Sequence, residues 1–190
     1  MAYVLRRVPW GTIALVAASV LFFYLALPPL REWLESDPTG KMVSLLIHPL
    51  IHENEDHLWG NIFFGLLIAG TLIESWMTHL TQRSRWSILL TCYVISLTVS
   101  LGDWIVTGRI GVGTSDLAFA GLAFCLIYYR RNLDRIHREH SCWLVPVAMG
   151  VSLSFLLQPF VFGWSKTATL HLITFGLSLY VASLLLQRLR

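Results

Sequence analysis

Charge is scarce in this sequence: only 13% of its 190 residues are Asp, Glu, Lys or Arg, while 55% are hydrophobic and the mean hydropathy is +0.63. A soluble globular domain carries about a quarter charged residues, so this composition excludes one and makes the bilayer the solvent. Cysteine is rare too, with three residues in the chain. Cys92, Cys125 and Cys142 fall within expected helices or at a cytoplasmic helix edge, which argues against an extracellular disulfide framework and leaves them as core residues. No internal repeat and no low-complexity tract occurs. There is also no H-E-x-x-H pattern, the helical signature of a zinc protease.

What the chain has instead is long apolar runs. A helix needs about 20 apolar residues to cross the hydrocarbon core, and such stretches run at about 10–30, 57–77, 86–106, 142–162 and 167–187, with a shorter one at 115–129. The expected architecture is all-α, a single polytopic bundle of six transmembrane helices with its chemistry among the helices or in their loops. The first run follows Arg6 and Arg7 but is longer than the apolar part of a secretory signal and has no clear small-residue cleavage site before Pro28 and Pro29, so it reads as a retained helix. Tryptophans 10, 33, 76, 86, 104, 143 and 164 lie near the ends of these runs, as interfacial aromatics do.

Basic residues set the orientation. With the N-terminus inside, Arg6, Arg7, Arg83, Arg85, Arg130, Arg131, Arg135, Arg138, Arg188 and Arg190 are cytoplasmic, ten of the fourteen basic residues. Arg31, Lys41, Arg109 and Lys166 fall outside, with the acidic residues Glu32, Glu35, Asp37, Glu53, Glu55, Asp56 and Asp103. Both termini are therefore expected in the cytoplasm. The basic segment 130–141 reads as a topology-setting loop near lipid headgroups rather than a nucleic-acid site. The external connection 31–56 is broken by Pro38, Gly40 and Pro49, and its apolar patch from Met42 to Ile47 suits the membrane interface.

Polar groups at membrane depth are costly and usually face a bundle interior or a wet cavity. Three clusters stand out. His48, His52 and His57 lead into the second run, and with a helix beginning near Asp56, His57 and Asn61 share one face about 6 Å apart along the axis. Two such donors suit negative charge developing on a carbonyl oxygen. A glycine-rich turn, Gly108 to Asp116, opens the short fourth run. If Arg130 and Arg131 anchor its far end, Ser115 lies below the outer surface at a helix N-terminus, where free N–H groups and the macrodipole favour an anion. His171 lies near the start of the sixth run, at the same depth. Small residues on the Ser115 stripe (Ala118, Gly121) and the His171 stripe (Thr174, Ser178, Ala182) would let the fourth and sixth helices approach closely.

A hydroxyl and an imidazole in contact can cleave an acyl bond without a third member or a cofactor: the ring takes the hydroxyl proton and returns it to the leaving amine. Plainer readings stand beside this one. Ser115 could be an N-cap, His171 a core histidine satisfied by a neighbouring helix, the three early histidines a metal site, and Glu74 a structural residue paired with a local donor.

The order and spacing of His52, His57 and Asn61, then Gly113-x-Ser115, then His171 resembles the rhomboid intramembrane serine proteases, over roughly 48–187. The resemblance implies a rhomboid-like fold in which Ser115 is nucleophile and His171 general base, while His57 and Asn61 support the oxyanion and His52 shapes the same cavity. It further implies transmembrane protein substrates, entering past the fifth helix and the cap segment Gln158 to Trp164. The family's pattern has glycine after the serine where this chain has Asp116, and glycines after the histidine where it has Thr174 and Ser178. The Asp116 carboxylate could oppose an oxyanion, turn away, be protonated or bind His171. The resulting expectation is a multi-pass protein of a prokaryotic plasma membrane, acting as a serine endopeptidase on transmembrane segments, without cofactor and without nucleic acid. The alternatives are a catalytically inactive relative that binds membrane proteins, and a small transporter or channel.

Overall fold

The computed structural model of the chain describes residues 8–26, 28–36, 38–77, 80–108, 115–132 and 165–188, with the single positions 150, 154 and 157. The expected fifth span, apart from those three positions, lies outside the described residues, as do Gly113, the cap segment 158–164, most of the basic segment 130–141, and Arg6, Arg7 and Arg109. Among the described residues every regular element is helical.

Helix α1 (Trp10–Leu25) stops short of the expected 10–30, and α2 (Pro28–Ser36) leaves it at a 108° bend. Pro28 and Pro29 have no amide N–H to continue α1, yet their fixed φ suits the first positions of a new helix. The connection that follows is more regular than Pro38 and Gly40 suggested. Pro38 opens α3 (Pro38–Ile47), and Gly40 lies where α3 touches α2: a Cβ there would fall 1.9 Å from the Trp33 carbonyl oxygen. Ser44 Oγ donates to the Leu34 carbonyl at 2.8 Å across the same contact. Leu30, Trp33, Met42 and Leu46 remain exposed on this helical pair.

A 3₁₀ turn, His48–Leu50, ends the connection. Buried His48 holds it in place, one ring nitrogen 2.8 Å from the Leu45 carbonyl and the other 2.8 Å from Ser96 Oγ. Tyr93 stacks on the same ring and donates its hydroxyl to the Leu46 carbonyl.

From Glu55 the chain winds without a break to Trp76: α4 (Glu55–Asn61), a π-turn (Ile62–Leu66), α5 (Leu67–Thr71) and a second π-turn (Leu72–Trp76). Small residues on this run let its neighbours touch it. A Cβ on Gly70 would meet Thr12 Oγ1 at 2.0 Å, and one on Gly65 would meet Ala118 at 2.7 Å. Near its end, buried Glu74 accepts from the Gly11 and Thr12 amides at 2.9 and 2.7 Å and from Thr12 Oγ1 at 2.7 Å. A carboxylate from one helix thereby caps the free N–H groups and the positive dipole end of α1.

Helix α6 (Gln82–Thr107) begins at an N-cap, Thr81, and ends at Gly108, whose φ of +68° is the left-handed geometry common just past a helix. It and α8 (Lys166–Arg188) are long and apolar enough to cross a membrane, and α1 with α2 gives a third candidate if the bent pair is one span. Between them lies α7 (Ser115–Arg131), buried without interruption from Leu117 to Cys125, as a central helix must be. The small residues Ala118 and Gly121 do not line its contact with α8 as their stripe suggested. They meet Gly65 and Ala69 of the preceding run. Thr174, Ser178 and Ala182 of α8 are fully buried.

Candidate active site

Ser115 opens α7 and His171 is in the second turn of α8, 56 residues later, yet their side chains meet: His171 Nε2 is 3.0 Å from Ser115 Oγ. With its proton on Nδ1, the ring leaves Nε2 free to accept the serine hydroxyl. Phe119, one turn beyond Ser115 on the same face, stacks on the imidazole with ring centroids 4.5 Å apart at 26°. The ring is therefore held on one side by an aromatic face and at its edge by the hydroxyl. The sequence carried a signal for Phe119, its i, i+4 relation to Ser115, but an aromatic in an apolar helix does not distinguish itself.

The start of α8 is tied down independently. Lys166 Nζ pairs with Asp103 Oδ2 of α6 at 2.9 Å and donates to Thr107 Oγ1 at 3.1 Å. At the other end Arg131 of α7 donates to the Ser183 carbonyl of α8 at 2.9 Å. Helix α8, which bears the histidine, is thus held to α6 at its start and to α7 near its end.

His57 and Asn61 come from α4. Asn54 caps that helix, its side chain accepting from the His57 amide at 2.8 Å, and Glu55 and Asp56 complement the dipole in the first turn. His57 is close enough to His171 for their charges to interact. Asn61 Nδ2 is buried and, among the described residues, has no hydrogen-bond partner, a free donor of the kind an oxyanion needs. His52 precedes the helix, its ring 5.3 Å from that of His57, with one nitrogen 3.4 Å from the Leu50 carbonyl and Nε2 buried without a partner among the described residues. Burial first, and the nearby His57 second, push the His52 imidazole down to about 4, so the ring is neutral at physiological pH.

Asp116, left open by the sequence, turns toward α8. Its Oδ1 accepts from Thr174 Oγ1 at 3.3 Å and lies 4.0 Å from His171 Nε2. Asp116 and Thr174, two of the residues that depart from the rhomboid pattern, are partners in space.

Ser115, His171, His57 and His52 thus gather around one region, with Asn61 one turn beyond His57, while Gly113 falls outside the described residues. His48 is turned to Ser96 and Leu45, and among the described residues no three His, Cys, Asp or Glu side chains cluster to hold a metal ion. Glu74 is engaged with α1. Comparison with protein-family models, with curated proteins and with solved structures finds no match to this chain.

Proposed function

We propose that the protein is an intramembrane serine endopeptidase of the rhomboid-like type, a six-helix bundle with both termini in the cytoplasm that cleaves transmembrane segments of other proteins. The observation that carries the reading is the 3.0 Å contact between Ser115 Oγ and His171 Nε2. In this reading Ser115 Oγ attacks the scissile carbonyl carbon while Nε2 takes its proton, and the carbonyl electron pair moves onto oxygen. Collapse of that intermediate expels the amine, which receives the proton back from Nε2, and water activated by the same ring releases the acyl group from Ser115. His57 and the Asn61 amide, which has no partner among the described residues, supply donors for the oxyanion, and His52 backs them.

Purified protein in liposomes is expected to cleave a single-span model substrate with a helix-destabilising segment, and Ser115→Ala to reduce that to background. Wild-type activity no higher than Ser115→Ala across several substrates would overturn the reading. Asp116 beside the serine favours a second reading, a relative that binds membrane proteins without cutting them. Substrate retained uncut by the wild type, but cut by Asp116→Gly, would support that alternative.

A further inference from the structure

Ser115 and Asp116 are consecutive in the first turn of α7, and His171 and Thr174 are one turn apart on α8. The Asp116 carboxylate therefore reaches the base from the helix of the nucleophile. Its Oδ1 lies between two groups of α8, 3.3 Å from Thr174 Oγ1 and 4.0 Å from His171 Nε2, and the side chain is only 13% exposed. Thr174 is completely enclosed, so water cannot replace the carboxylate as its acceptor.

We propose that Asp116 is a positioning residue, tethered by Thr174 beside His171 so that the charge the imidazole gains on taking the Ser115 proton meets a fixed carboxylate. The proposal rests on the Ser115–His171 reading above. The carboxylate exchanges no proton: Nε2 receives it from Oγ and passes it to the leaving nitrogen. A carboxylate among the oxyanion donors would oppose the reaction, but both polar contacts of Asp116 are on α8, whereas His57 and Asn61 belong to α4. Among the described residues, the other charged or titratable groups facing this pair are Asp103 of α6, His57 of α4 and Lys166 of α8. Lys166 is paired with Asp103, which leaves Asp116 as the carboxylate directed at the ring.

The test is an NMR titration of the His171 ring in the full-length protein, beside kcat and KM for a single-span substrate. Asp116→Asn is expected to move the ring's titration midpoint to lower pH by about one unit, a tenfold loss of proton affinity, and to lower kcat with KM little changed. Thr174→Val is expected to shift the midpoint the same way, Thr174→Ser to restore it, and the double variant Asp116→Asn with Thr174→Val to go no further than Asp116→Asn. If Asp116→Asn does not fold, Asp116→Ser serves. An unmoved midpoint in the aspartate variant, or shifts that add in full, would overturn the pair. The titration needs no turnover, so the two ideas fail separately. The expected shift without Ser115-dependent cleavage removes the protease reading alone, and cleavage without the shift removes the positioning pair alone.

Discussion

Replacing Glu74 by alanine tests how the first helix is held. The carboxylate is 3% exposed and accepts three hydrogen bonds at 2.7 to 2.9 Å, from two free amides at the start of α1 and from Thr12 Oγ1. A hydrogen bond to a charged group contributes about 1.5–3 kcal/mol net, and the donors share one acceptor group, so the sum is less than additive; removing it is expected to cost about 3–5 kcal/mol. Glu74→Gln keeps the shape but turns an NH₂ toward a donor, for about 1–3 kcal/mol. Equilibrium unfolding in detergent micelles measures both. Thr12→Val removes one donor and should cost about 1–2 kcal/mol in the wild type but much less in Glu74→Ala, where the acceptor is already gone. A Glu74→Ala protein within about 0.5 kcal/mol of wild type, or full additivity with Thr12→Val, would refute this reasoning.

Other consequences can be measured alongside. Gly40→Ala puts a methyl group 1.9 Å from the Trp33 carbonyl oxygen, so α2 and α3 must separate; faster protease cutting within 28–47 at little change in global unfolding is the expected result. His52 is neutral in the folded protein because burial disfavours its charged form and moves it from 6.5 to about 4. Unfolding lets it take up a proton, so its contribution to stability is complete above about pH 6.5 and is lost as the pH falls toward 4. Unfolding midpoints followed across that window should fall more steeply for the wild type than for His52→Gln. Phe119→Ala frees one face of the His171 ring and is expected to lower kcat by about 10- to 100-fold, and an unchanged kcat would show that the stacking does not orient the base.

Sequence patterns disclosed unequal parts of this molecule. The apolar runs at 86–106 and 167–187 lie within α6 and α8, because long hydrophobicity needs no partner to be recognised. The helix expected to begin near Asp56 begins at Glu55, where its start is set locally by the Asn54 cap. Contacts made across the chain were less so. The Ala118–Gly121 stripe was assigned to the wrong neighbour, since a helix buried all round gives no sign of which small face meets which partner. The π-turns at 62–66 and 72–76 rotate successive faces in a way that a 3.6-residue period does not anticipate. Pro38 and Gly40 looked like breakers, whereas one starts a helix and the other admits its neighbour. Asp116 was ambiguous for a similar reason: its direction depends on Thr174, 58 residues away.

The proposed dyad is tested most directly by covalent capture. Purified protein treated with a fluorophosphonate or isocoumarin probe, then digested and analysed by mass spectrometry, should carry the adduct on Ser115. His171→Ala should slow that labelling by at least about a hundredfold, as loss of the general base requires. No adduct on Ser115, or labelling at the same rate without the imidazole, would contradict the proposal that these two side chains act as nucleophile and base.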